Sequence, residues 1–305
     1  MRTAASLLLT LAIIALSAGC AGEPADGGGD RLAVAVSIAP QAWLVAQLVG
    51  ENATIITLVG PGESPVTYQP TDAQISEVMK ASVYFRIGVP FENGPWFDAI
   101  RGSARVHVVD TRRGITLRDM DAHRHDEREA QKAEEAPESD EHPQGLDPHI
   151  WLSPHLLKIQ AHTMTEALVK LDPARAAEFD SRLGQLEQRL DQLDASIRRI
   201  LQPFRGRSFL VFHPAWGYFA DAYGLKQVAI EIEGKTPTDR ELTAVQRFAR
   251  EKRINVLFAQ PQISGQAAEA VARAIGGRLE FIDPLVPDVE NNLLRVAEAL
   301  AKALR

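Results

Sequence analysis

The run from Asp172 to Leu201, DPARAAEFDSRLGQLEQRLDQLDASIRRIL, governs how the rest of the chain is read. Phe179, Leu183, Leu186, Leu190, Leu193, Ile197 and Ile200 recur at alternating spacings of four and three, which lays an apolar stripe along one side of a helical rod. Asp172 and Pro173 suit the start of such a helix. Helical from Pro173 to Leu201, it spans about 43 Å at 1.5 Å per residue, more than one lobe requires for itself. The rod therefore reads as a brace joining two lobes. A coiled-coil dimer is the competing account, weakened by a stripe lasting only about four heptads.

Both flanks of the rod carry α/β grammar. Downstream, Ser208 to Phe212, Val228 to Ile232, Ile254 to Phe258 and Leu279 to Ile282 are strand candidates. They alternate with helices from the Thr238/Glu241 capping box to about Glu251, over Ser264 to Ile275, and over Val289 to Leu304. Upstream, the strand candidates are Leu32 to Ile38, Ile55 to Val59, Val83 to Ile87 and Val106 to Val109. Helices are expected over Pro40 to Gly50, after a Thr71/Gln74 capping box, and over Trp96 to Ile100. Ser153 and Pro154 suit the start of a further helix. This alternation predicts an α/β chain of two lobes with mostly parallel sheets, joined by the long helix. The halves look alike in plan without a visible sequence repeat.

The lobes occupy 32–154 and 204–305, with 155–203 as the helical region between them. The first includes an insertion, 119–145, crowded with His, Asp, Glu and Arg and almost free of apolar residues, which reads as a mobile solvated segment. Residues 1–20 read as a signal peptide: Arg2, an apolar run from Leu7 to Leu16, then Ser17-Ala18-Gly19-Cys20. The run is shorter than the roughly 20 residues a membrane-spanning helix needs. Small residues before Cys20 resemble a bacterial lipoprotein processing site, which implies a lipid anchor there; Ser17 departs from the Leu usual at its position. As Cys20 is the only cysteine, no intrachain disulfide can form. Residues 21–31, rich in Gly and Asp, read as a flexible tether.

A formal net charge of -7 and a pI near 5.7 argue against a nucleic-acid surface, which needs clustered Lys and Arg. Three polar side chains follow or end apolar segments. His213 and Asp283 end apolar strand candidates, and ligands in open α/β sheets lie beyond the carboxyl ends of strands. His149 stands in Asp147-Pro148-His149-Ile150-Trp151-Leu152, directly before a helix start. Each has an ordinary structural alternative, a hydrogen-bonded core histidine or a turn-forming aspartate. Together, two imidazoles and a carboxylate suit Zn(II), with Mn(II) and Fe(II) next.

The segments Asp147 to Pro154, Phe212-His213-Pro214-Ala215-Trp216-Gly217-Tyr218-Phe219 and Ile282-Asp283-Pro284-Leu285 resemble those of the zinc- and manganese-binding proteins of ABC importers, the ZnuA/TroA-like (cluster A-I) substrate-binding family. Glu231 to Pro237 and Phe258 to Ser264 extend the likeness, from about Leu32 to the end. The resemblance implies two lobes bridged by one helix, a metal in the cleft between them, a membrane permease as partner, and a location in the periplasm or on the outer face of the cytoplasmic membrane. It also implies His149, His213 and Asp283 as ligands, and a first histidine in a Ser-Pro-His motif. Here that stretch reads Ser64-Pro65-Val66-Thr67-Tyr68-Gln69-Pro70, and Val66 has no lone pair to offer. The fourth position then falls to water, or to His123, His125 or His142 from the insertion; Tyr68, Gln69 or Glu233 are further candidates for altering specificity.

Three functions follow. A monomeric binder that captures a divalent metal for an importer leads. A zinc hydrolase with an open three-ligand site is the enzyme alternative, against which stands the absence of a His-Glu-x-x-His segment. An adhesin or metal chaperone on the same scaffold is the third.

Overall fold

The computed structural model describes residues 31–120, 145–231, 238–263 and 265–305. Two four-stranded parallel sheets, each with its own helices, carry the architecture. In the first, β1 (Leu32–Val36), β2 (Ala53–Thr57), β3 (Val83–Arg86) and β4 (His107–Asp110) stand in the order β2-β1-β3-β4. In the second, β5 (Ser208–Val211), β6 (Lys226–Ala229), β7 (Val256–Ala259) and β8 (Arg278–Phe281) repeat that arrangement as β6-β5-β7-β8. The expected likeness in plan is thus a likeness in strand order.

Local chemistry explains most elements. α1 (Ala39–Val49) has Pro40 in its first turn and stops at Gly50, whose φ of 66° favours glycine. α2 (Asp72–Val78) begins with the full Thr71/Gln74 capping box, and α3 (Trp96–Arg101) connects β3 to β4. α4 (Pro154–Leu171) follows Ser153, whose side chain makes no capping bond; Pro154 in the first turn sets this start.

The rod is α5 (Ala176–Leu201), preceded by a 3₁₀ turn over Pro173–Arg175, so the α-helical part begins three residues later than expected and runs about 39 Å. Phe179, Leu186, Leu190 and Ile197 are fully buried. At the end the buried residue is Leu201, with Ile200 only half-buried, because a 3.5-residue repeat drifts around a straight 3.6-residue helix. The stripe is covered within the chain, by α1, α4 and the last helix, α9 (Val289–Ala303). Arg189 ties these together, donating from Nη2 to Gln47 of α1 at 2.6 Å and from Nε to Glu290 of α9 at 3.1 Å. The brace expected from sequence is present.

The second lobe adds α6 (Gly217–Tyr223), α7 (Asp239–Lys252), opened by the Thr238/Glu241 capping box, and α8 (Gly265–Ala274). The central strands of its sheet, β5 and β7, are buried on both faces, as the inner strands of parallel sheets are. Phe209 and Val211 point into the core shared with the rod, while Leu210 and Phe212 join a separate cluster with Val245, Leu257 and Val271.

Most of the insertion lies outside the described residues, as do His123, His125, His142 and Glu233. Its two roots are joined, by an antiparallel bridge between Asp119 and Leu146 and by Met120 N–H donating to the Gly145 carbonyl at 3.1 Å. Among the described residues no helix is long and apolar enough to cross a membrane.

Candidate metal centre

The carboxyl ends of both sheets open on a small cavity of about 50 Å³. His149 reaches it from a tight turn, with Ile150 N–H donating to the Pro148 carbonyl at 2.8 Å, before the 3₁₀ turn Ile150–Leu152. His213 reaches it two residues beyond β5. The sequence separates these histidines by 64 positions, yet their rings stand 5.3 Å apart, centroid to centroid, at 73°.

Each imidazole is backed by a carboxylate. Asp147 Oδ1 lies 2.7 Å from His149 Nδ1 and accepts the His149 backbone N–H at 2.9 Å. With the proton on Nδ1, Nε2 keeps its lone pair, which is the orientation in which carboxylates hold metal-binding histidines. Burial lowers the pKa of His149, and the neighbouring His213 acts in the same direction, while Asp147 opposes both. The ring is therefore neutral, and competent to bind a cation, at neutral pH. His213 has a looser counterpart, Glu231, with Oε1 3.4 Å from Nδ1.

Val66 stands in the wall of the same cavity, 48% exposed, on the loop after β2. Met120 and Gln260 also line it. Asp283 does not. It lines an adjoining cavity of about 120 Å³, with Leu285 common to both walls. Its Oδ1 accepts from Gln262 Nε2 at 3.0 Å and from the Leu285 backbone N–H at 2.9 Å, a turn of the kind aspartate makes before proline. Asp283 Oδ2 makes no hydrogen bond among the described residues. Accordingly, among those residues no group of three His, Cys, Asp or Glu side chains gathers around one point. Tyr68 is turned to other use: its hydroxyl donates to the Leu58 carbonyl at 2.6 Å and anchors the loop. Gln69 is exposed.

Sequence reasoning named the two histidines and Val66 but not Asp147 as the orienting carboxylate, although the Asp-Pro-His spacing carries that signal. It had no means of finding Met120 or Gln260, which reach the cavity through tertiary packing alone.

The family described as zinc-uptake complex component A, periplasmic (ZnuA), matches residues 34–305. A putative metal-binding protein of Chlamydia trachomatis is 27% identical over 295 residues, covering 96% of this chain and 99% of that protein. The high-affinity zinc uptake system protein ZnuA of Bacillus subtilis is 25% identical over 264 residues, covering 86% of this chain and 81% of its own. A crystal structure of ZnuA is 34% identical and covers 90% of this chain and 100% of its own, with a TM-score of 0.79. A ZnuA deletion mutant with zinc bound has the same identity and TM-score, and covers 98% of its own chain. The two parallel-sheet lobes, the bridging helix and the match over nearly all of the described chain agree: the protein belongs to the ZnuA family of periplasmic zinc-uptake components.

Proposed function

We propose that this chain is a substrate-binding protein that captures a divalent transition metal, Zn(II) foremost, and delivers it to an ABC importer. The observation that carries the reading is the pairing of His149 and His213, one from each side of the gap between the sheets, with ring centroids 5.3 Å apart in one cavity. An ion held by both lobes binds more weakly when they part, which suits capture followed by release. Family members are periplasmic or extracellular binding components of transport systems, and we read this chain as a binder rather than an enzyme, with the permease as its partner.

We assign His149, His213 and Asp283 as the protein donors. Asp283 would join through its uncommitted Oδ2, and water or a histidine from the insertion would take the place Val66 leaves open. Two imidazoles and a carboxylate are a zinc-suited set. Cleavage before Cys20 and lipidation there, with a tether over 21–31, would hold a monomeric binder at the outer face of the membrane. The lobes run over 32–154 and 204–305 on this reading.

Zinc titration by calorimetry at pH 7, on protein stripped of metal, tests the site. His149→Ala and His213→Ala each abolish tight binding, and Asp283→Ala weakens it. Unchanged affinity in both histidine variants would remove the cavity as the metal site. Mass spectrometry of membrane-fraction protein checks the anchor, since an unmodified N-terminus elsewhere than Cys20 contradicts it.

A further inference from the structure

Asp147 is buried completely, and only one of its carboxylate oxygens is hydrogen-bonded. Oδ1 holds the ring and backbone of His149, while Oδ2 has no hydrogen-bond partner. A buried anionic oxygen left in that state is costly unless a cation stands close. Here the cation is Arg118, whose Nη1 lies 3.7 Å from Oδ2, at ion-pair rather than hydrogen-bond distance.

Arg118 is in turn gripped by the second lobe. Its Nε pairs with Asp221 Oδ2 at 3.2 Å, and its guanidinium carbon lies 5.9 Å from the centre of the Tyr218 ring. The Tyr218 hydroxyl accepts the Arg118 backbone N–H at 3.1 Å and donates to the Asp147 carbonyl at 3.0 Å. Asp147 N–H donates to the Arg118 carbonyl at 2.9 Å, so the two residues are joined through backbone as well. Gly217 completes the seat. A Cβ there would fall on Arg118 Nη1 and press on Asp147 Oδ2 at 3.0 Å. Its φ is not in the left-handed region, so backbone conformation does not require glycine; the space taken by the guanidinium does.

We propose that Arg118 is a positioning residue for His149: seated against Gly217, Tyr218 and Asp221 of the second lobe, its guanidinium fixes the Asp147 carboxylate that orients the imidazole. The inference rests on the reading of His149 as a metal ligand. Its consequence is that docking of α6 and the aim of a ligand on the opposite side of the gap depend on one side chain. Lobe separation that unseats Arg118 would loosen Asp147 and, with it, the ring that holds the ion.

Two substitutions approach the same contact from opposite sides. Arg118→Met keeps an unbranched stem over Tyr218 and removes the charge. Gly217→Ala keeps the arginine and displaces it. In metal-free protein at fixed pH, nitrogen-15 spectra of the imidazoles report the His149 Nδ1–H···Asp147 hydrogen bond directly. Both variants should shift the His149 ring signals and leave those of exposed His162 in place, and both should weaken zinc binding about tenfold, the lower end of the loss expected when an outer-shell partner is removed. Should either variant fail to fold by circular dichroism, the other carries the test. Parent-like His149 signals in a folded variant overturn the proposal. A parent that binds no zinc while its variants shift the ring would instead refute the metal-site reading and leave the positioning role of Arg118 standing.

Discussion

The indole Nε1 of Trp151 donates to the carbonyl of Pro284 at 2.7 Å, across 133 residues of sequence. This bond joins the turn that presents His149 to the turn that carries Asp283. The Trp151 ring is buried and lies 5.1 Å from the His149 ring, centroid to centroid, so the same side chain packs one side of the cavity and holds its two halves together. Replacing it with Phe keeps an aromatic body but leaves the Pro284 carbonyl without its donor. Trp151→Phe should cost about 1–3 kcal/mol in chemical denaturation, the penalty for a buried acceptor left unpaired. A loss within about 0.5 kcal/mol of zero would mean that water replaces the indole at no cost.

Val66 occupies the cavity wall where the family resemblance places a histidine. Val66→His should tighten zinc binding about tenfold or more, equivalent to about 1.4 kcal/mol, because an imidazole would replace an exchangeable water. Competition titration against a chromophoric chelator measures this. Unchanged affinity would show that the loop after β2 holds its side chain too far from the ion.

Leu190, at the middle of the rod, is fully buried against the shared core. Leu190→Asp should cost about 3–5 kcal/mol through lost apolar burial and a charge placed against the core. Urea denaturation that matched the parent would place the stripe in solvent and revive the coiled-coil account.

Glu178, in the first turn of the rod, is held by Arg175 at 2.9 Å and Arg182 at 3.0 Å; Arg175 also donates to the Val49 carbonyl at the end of α1, at 2.9 Å. The Arg175 hydrogen bonds, followed by that of Arg182, hold its pKa down to about 2, against an ordinary 4.5. A carboxylate depressed on folding stabilises fully above the unfolded value, and that contribution is lost as pH falls from 4.5 towards 2. Glu178→Gln should therefore lower the melting temperature modestly at pH 7, and the gap to the parent should close by about pH 2. Because Glu178 is one-third exposed, added salt should narrow the gap at pH 7 as well. A gap that persists unchanged at low pH would assign the effect to helix propensity instead.

The sequence by itself determined the secondary structure and its grouping, because those signals are local. Thr71 with Gln74 and Thr238 with Glu241 cap helices through residues three apart, and the stripe from Phe179 to Ile197 announces a rod whatever packs on it. Strand alternation gave two α/β halves, and the motifs around His149 and His213 named the pair that the fold brings together. Where the rod's stripe turns from Ile200 to Leu201 was not legible, since the drift of a straight helix against its repeat is resolved by what it packs against. Only the tertiary structure decided which side chains share a cavity. It set Val66 and Met120 beside the two histidines and turned Asp283 into an adjoining space through its bonds to Gln262 and Leu285. It also threaded Arg118 into a seat that Gly217 leaves open. The reason is physical: caps and periodicity act over one or two turns of chain, whereas the geometry of the site is fixed by contacts between residues up to 133 positions apart, to which no local rule applies.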